Sequence, residues 1–283
     1  MYVAGEKINT KRKSERRSNM SITKKALSFF AILQIVFVLC VSVSADAAIG
    51  WYCTRNKDHR QPSAAAELRF VEEYGGYYVD KRHGDDNTDK VVYLTFDAGY
   101  ENGNVEKILD IMKEEEVTGA FFILGNLIIK NTDLVKRMAD EGHTVCNHTN
   151  RHKDMTTVGS IEEFKTELSA LENIYRERTG REMAEYYRPP EGRFNEATMK
   201  YAHELGYKTV FWSFAYADWD NAKQPSPESA KKKIMENIHN GAVILLHPTS
   251  ATNAEILGDV IRDLKSQGFR FGTLDELTEN GKI

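Results

Sequence analysis

Among eight histidines in this chain, His148 and His152 stand four residues apart. On one helical turn that spacing lets both imidazoles face a single divalent cation. An H-x-x-x-H pair arises readily by chance, so its companions decide its meaning. Asp97 closes the run Leu94-Thr95-Phe96, Arg188 leads the stiff turn Pro189-Pro190-Glu191-Gly192, and His247 ends the run Leu245-Leu246. Asp218, followed by Trp219, offers His247 a carboxylate partner of the kind that tunes an imidazole. Each residue has a bland alternative: a helix cap for Asp97, a surface charge for Arg188, a bonded core histidine for His247.

Jointly, these types describe metal-assisted hydrolysis. A divalent ion on two histidines polarises a carbonyl and acidifies its water, a carboxylate base takes the proton, and a separate histidine protonates the departing amine. A glycosidase pair, Asp97 with Asp218 or Glu191, also fits the carboxylates but leaves the paired histidines without a task. The chain holds no G-x-S-x-G elbow, P-loop or G-x-G-x-x-G, so serine-hydrolase and nucleotide chemistry lose their support.

Such a constellation needs a scaffold that brings distant segments to one end. Apolar runs at 91–96, 120–124, 144–146, 186–188, 208–212, 242–246 and 269–273 alternate with helical patterns. Those helical patterns cover 105–116, 132–141, 161–179, 195–205, 227–239 and 253–267. The alternation predicts βα units on a mainly parallel sheet, and seven strands suggest a small or incomplete β/α barrel. Gly142, Gly206, Gly241 and Gly268 follow helices and precede strands, where a left-handed residue belongs. In a barrel the C-terminal strand ends carry the site. Five of those ends supply Asp97, His148 with His152, Arg188, Asp218 and His247.

The 283 residues are 41% apolar and 10% aromatic, a globular composition, and the net charge of −4 counts against nucleic acid as a partner. That charge is a sum of two unlike parts. Residues 1–47 hold eight basic and three acidic groups, which leaves 30 basic and 39 acidic groups in 48–283, a body near −9. Residues 1–25 read as a basic cytoplasmic leader, and 26–47 as a signal peptide or membrane anchor. Met20 opens a complete signal pattern by itself, so 1–19 read as an upstream extension of the reading frame. Everything beyond about residue 47 is then exported, with the N-terminal segment as the only membrane contact. Cys53 and Cys146 have the option of pairing outside the cell, although Cys146 reads better as a buried small hydrophobe. Residues 48–87 are irregular and read as an N-terminal extension packed loosely on a domain at 88–283.

In order and spacing, Thr95-Phe96-Asp97, His148-x-x-x-His152, Arg188-Pro189-Pro190-x-Gly192, Asp218-Trp219 and Leu245-x-His247 resemble the NodB-type polysaccharide deacetylases. That resemblance implies a distorted (β/α)7 barrel, with Asp97 as base, His247 as acid, Arg188 orienting Asp97 and Asp218 tuning His247. It implies a divalent metal, usually zinc, on His148 and His152. It places Trp219, Leu245, Pro190 and Tyr100 against the substrate. The stretch from Thr95 to Gly103, Phe211-Trp212-Ser213 and Asn253-Ala254-Glu255 resemble the delta-lactam-biosynthetic de-N-acetylase branch of spore formers. Those enzymes deacetylate N-acetylmuramic acid of cortex peptidoglycan, so a glycan strand is the implied partner and the space around the developing spore the implied location. Ala98 stands where most of the wider family has a metal-binding Asp, which implies weak metal affinity; Glu101 is a nearby substitute in sequence. Two rivals stay open: deacetylation of N-acetylglucosamine in peptidoglycan or another polymer, and a wall-binding homologue with weakened catalysis.

Overall fold

Residues 47–56 and 58–279 are described by a computed structural model. The leader and the signal peptide or anchor expected at 1–47 lie outside these residues, except for Ala47.

The central strand, β1 (Lys90–Ala98), carries a run of apolar and β-branched residues that is buried on both faces, as parallel strands require. Alternation divides its side chains. Val92, Leu94, Phe96 and Ala98 join the cluster beneath the helices. Val91 and Tyr93 join an inner cluster with Phe122, Cys146 and Val243. With a period of two, Thr95 and Asp97 continue the inner row, so the row turns polar only at its C-terminal end.

Parallel strands follow β1 in chain order: β2 (Ala120–Ile123), β3 (Thr144–Asn147), β4 (Ala184–Tyr187) and β5 (Lys208–Val210). Each pairs with its predecessor, and β6 (Ala242–Leu246) pairs with the other edge of β1. The last strand, β7 (Phe269–Phe271), pairs with the first half of β1. The result is a parallel sheet curled into a half-barrel with helices around it. Single bridges, Phe214 to Ile244 and Val79 to Ala242, span the gap between the β5 side and β6. All seven anticipated strands form. Bridges stand there in place of a ladder because strand geometry ends at Val210 and the chain turns into the site.

The helices around the sheet are α1 (Asn104–Glu114), α2 (Gly125–Lys130), α3 (Thr132–Asp140), α4 (Ile161–Thr179), α5 (Glu196–Glu204), α6 (Pro227–Asn237), α7 (Ala251–Ser266) and α8 (Leu274–Glu279), and a short helical turn, Phe70–Glu73, precedes them in the extension. Helix α4 shows the local logic. Ser160 caps it by accepting from the Glu163 amide, Gly180 ends it at φ 73°, and Phe164, Leu168, Leu171 and Tyr175 form its buried stripe. Helices α2 and α8 had no sequence signal, being six residues each and too short for periodicity to register.

The N-terminal extension departs from the loose packing expected of it. Trp51, Leu68, Val71, Tyr78 and Val79 are buried with Phe194, Met199 and Phe211 in a cluster of their own. Trp51 stacks on Phe211 at 4.4 Å between ring centroids, and residues Gly76–Tyr77 add a strand to β5. The sequence hides this because the apolar residues of 48–87, aromatic and aliphatic alike, recur without a period.

Candidate active site

The C-terminal strand ends surround a cavity of about 630 Å³. Asp97, His148, His152 and His247 line it, with Trp212, Tyr216, Trp219 and Leu245 as apolar walls. Arg188 and Asp218 stand just behind, both fully or almost fully buried.

Arg188 follows β4 and reaches across the inner face. Its Nη1 donates to Asp97 Oδ1 at 2.8 Å and its Nη2 to Thr95 Oγ1 at 2.9 Å. Its Nε and Nη2 also donate to the carbonyls of Val210 and Phe211, at 2.8 and 3.2 Å. The guanidinium lies 4.1 Å from the Phe122 ring centroid, opposite Asp97 in the β1–β2 register. A planar fork with five donors is the side chain that can serve three strands at once. Burial would raise the Asp97 carboxyl, but Arg188, His148 and His247 outweigh it and hold the group below its ordinary value.

His148 and His152 come together, at 5.1 Å between ring centroids, but without the helical turn that their spacing suggested. They lie on a loop after β3 in which Thr149 and His152 take left-handed conformations, at φ 70° and 58°. Asn147 holds the loop by accepting from the Thr149 amide and donating to the Leu168 carbonyl. His148 Nδ1 donates to the Arg188 carbonyl at 2.8 Å, which leaves Nε2 unprotonated and 3.6 Å from Asp97 Oδ2. Burial pushes the His148 imidazolium down to about 4. A bare imidazole nitrogen and an ionised carboxylate oxygen facing each other favour a cation in their common reach. The donor types therefore fit a divalent metal on His148 and His152. The site is open rather than a cage: among the described residues no group of three or more His, Cys, Asp or Glu is placed to hold an ion. Glu101 does not fill the position of Ala98. Its carboxylate accepts from the amides of Gly103 and Val105 and caps α1.

Opposite them, His247 Nδ1 donates to Asp218 Oδ1 at 2.7 Å, and the His247 amide donates to Asp218 Oδ2 at 2.8 Å. Burial would lower this imidazolium, but the Asp218 hydrogen bond and charge, with Asp97, raise it above its ordinary value.

Tyr100, Trp219 and Leu245 line the cavity, and the first two are exposed at its rim. Asn221 Nδ2 donates to the Tyr100 hydroxyl at 2.6 Å, tying the two rim loops together. Pro190 is the exception among the anticipated substrate contacts. It is buried and does not line the cavity, because the turn it stiffens presents Glu191 and Gly192 instead. Gly192, at φ 63°, is obligatory there: a Cβ would lie 2.7 Å from the Trp212 ring. Cys53 and Cys146 are both free thiols, with Cys146 buried in the inner cluster.

Asn253, Tyr216 and Thr95 carry no assigned role in the sequence reading, although each touches the site. Asn253 donates to Asp218 Oδ2 at 2.6 Å and to the His247 carbonyl at 3.1 Å. Its place in Asn253-Ala254-Glu255, just after the last site histidine, was the available signal.

The polysaccharide deacetylase family model matches residues 84–210. The chain is 40% identical over 230 residues to the peptidoglycan-N-acetylmuramic acid deacetylase PdaA of Bacillus subtilis, covering 81% of this chain and 85% of that protein. The solved structure of Bacillus subtilis PdaA, a family 4 carbohydrate esterase, matches with a TM-score of 0.77 at 38% identity, over 83% of this chain and 98% of that one. A family 4 carbohydrate esterase from Bacillus anthracis matches with a TM-score of 0.67 at 36% identity, over 82% and 97%.

Proposed function

The chain belongs to the polysaccharide deacetylase family, and we propose that it hydrolyses the N-acetyl group of N-acetylmuramic acid in peptidoglycan, toward the muramic delta-lactam of the spore cortex. The observation that carries this reading is a pair of buried ion pairs, Asp97–Arg188 and His247–Asp218, whose outer members open on one cavity walled by aromatics.

The two pairs divide the proton work. Arg188 holds Asp97 ionised, and Asp97 Oδ2 accepts the proton of the attacking water. Asp218 fixes the His247 tautomer with Nδ1–H inward, so Nε2 is the atom that hands a proton to the departing amine. Water and the amide thus become acetate and the free amine. Deacetylases of this family are generally metal-dependent. A divalent ion, zinc in our reading, would be held by His148 and His152 and would polarise the acetyl carbonyl and acidify the water. With alanine at position 98, metal affinity is weak; stoichiometric zinc that survives a chelator would refute this. Trp219 and Leu245 accommodate the acetyl methyl, and Tyr100 and Trp212 offer ring faces to the sugar. The full distorted (β/α)7 barrel and the export of the acidic body to the wall around the developing spore belong to the same reading.

The test is to incubate the purified protein with peptidoglycan, with and without added zinc, and to locate lost acetyl groups by mass spectrometry. Loss from muramic acid is expected. Loss from glucosamine alone would reassign the substrate, and binding without loss under any metal would mark a wall-binding homologue.

A further inference from the structure

Behind His247 the polar contacts do not stop at Asp218. Asp218 is 1% exposed, and its Oδ2 takes two donors, the His247 amide and Asn253 Nδ2. Asn253 is itself fully buried and uses its whole side chain: Nδ2 also reaches the His247 carbonyl, and Oδ1 accepts from the Tyr216 hydroxyl. Tyr216 lines the cavity, so this chain of bonds begins where substrate sits. A second loop of bonds holds Asn253 in place. Its amide donates to Ser250 Oγ, Ser250 donates to Gln224 Oε1, and Gln224 Nε2 donates to the Asp218 carbonyl. The circuit closes on the residue it started from.

We infer that Tyr216 and Asn253 are positioning residues of the acid site, a hydroxyl-to-amide relay from the cavity wall that orients the Asp218 carboxylate and, through it, the His247 ring. The arrangement has a clear physical direction. Each donor on Oδ2 competes for the charge that Oδ1 offers to His247 Nδ1–H, and Tyr216 strengthens the Asn253 donor by polarising its amide. An amide that bridges a carboxylate and a carbonyl also fixes the distance between the loop after β5 and the start of α7. Burial and the neighbouring Asp218 raise the Tyr216 hydroxyl well above its ordinary value, so it remains a donor throughout the working range.

This inference rests on the deacetylase reading for its kinetic test, and a second measurement is independent of it. Tyr216→Phe keeps the ring against the cavity and removes only the donor; Asn253→Leu keeps the volume and removes the bridge. For partners that orient a site residue, losses of about 10- to 100-fold are the usual scale. The expected result is a fall in kcat on that scale for Asn253→Leu and a smaller one for Tyr216→Phe, with KM unchanged. The groups that face His247 are Asp218, Asp97 and Arg188. With the Asn253 donor gone, Asp218 binds the imidazolium more strongly and the alkaline limb of the rate profile moves to higher pH. In parallel, the proton resonance of His247 Nδ1–H is followed by NMR, assigned with His247→Gln; it is expected to shift in both variants. An unmoved resonance in both would overturn the inference, as would unchanged kcat, or a rise in KM alone. If Asn253→Leu does not fold, Tyr216→Phe decides by the same criteria. If the wild-type protein deacetylates nothing, the proposed function fails while the resonance still decides the relay.

Discussion

Replacing Arg188 with leucine tests the centre of the site most directly. The side chain is fully buried and holds Asp97, Thr95 and two carbonyls, so Arg188→Leu strands a carboxylate and three further acceptors in the inner core. Removing one member of a buried ion pair costs about 3–5 kcal/mol, much of it from the charge left behind. For a domain of this size that lowers the unfolding midpoint by roughly 6–20 °C. The pH dependence carries the mechanism. In the wild-type protein the depressed Asp97 carboxyl contributes stability that is complete above its unfolded value of 3.8 and is lost as pH falls through the folded value. Without Arg188, burial dominates and the folded carboxyl rises above 3.8, so the sign reverses: the penalty is largest at neutral pH and shrinks in acid. Thermal melts by circular dichroism at pH 7 and near pH 4 measure both. Adding Asp97→Asn to Arg188→Leu removes the stranded charge and is expected to recover about 1–3 kcal/mol, a coupling of the size that contacting groups show. A neutral-pH midpoint equal to wild type, a penalty that does not change with pH, or strict additivity of the two substitutions would show that Arg188 does not hold Asp97 ionised.

Asp97→Asn and His247→Gln are each expected to lower kcat by at least about 100-fold while leaving the folded spectrum intact, since each removes one partner of proton transfer; near wild-type rates in both would remove their assigned roles. Asp218→Asn withdraws the charge that raises His247, so the imidazolium loses its proton at lower pH and the alkaline limb of the rate profile moves down. Trp51→Ala is expected to destabilise by about 3–5 kcal/mol, because the ring is stacked on Phe211 and its Nε1 donates to the Trp212 carbonyl. A melt indistinguishable from wild type would show the extension to be dispensable.

The strand ends were legible because chemistry and periodicity coincide there. Asp97, His247 and Arg188 each close an apolar segment, so a barrel reading is enough to bring them to one end. The histidine pair was legible as a pair, but its geometry was not. Left-handed residues at Thr149 and His152 leave no mark that a four-residue spacing would reveal. Pro190 marks a stiff turn in the sequence, yet which face that turn shows to the cavity depends on Trp212 pressing against Gly192. Asn253 stands in a recognisable stretch, Asn253-Ala254-Glu255, but that its side-chain amide meets Asp218 follows from the fold.

Local pattern in the chain encodes the order of strands and helices, the glycines at helix ends and the set of reactive side chains at the strand ends. The geometry of those side chains came from the fold. It added Thr95 and two carbonyls to the Asp97–Arg188 pair and turned His148 so that Nδ1 meets a carbonyl. It also spent Glu101 on a helix cap and packed the aromatic residues of the N-terminal extension into a cluster. The physical reason is that burial periodicity is a property of one segment. A hydrogen bond or a shifted pKa belongs to two, and which two meet depends on how the whole sheet curls.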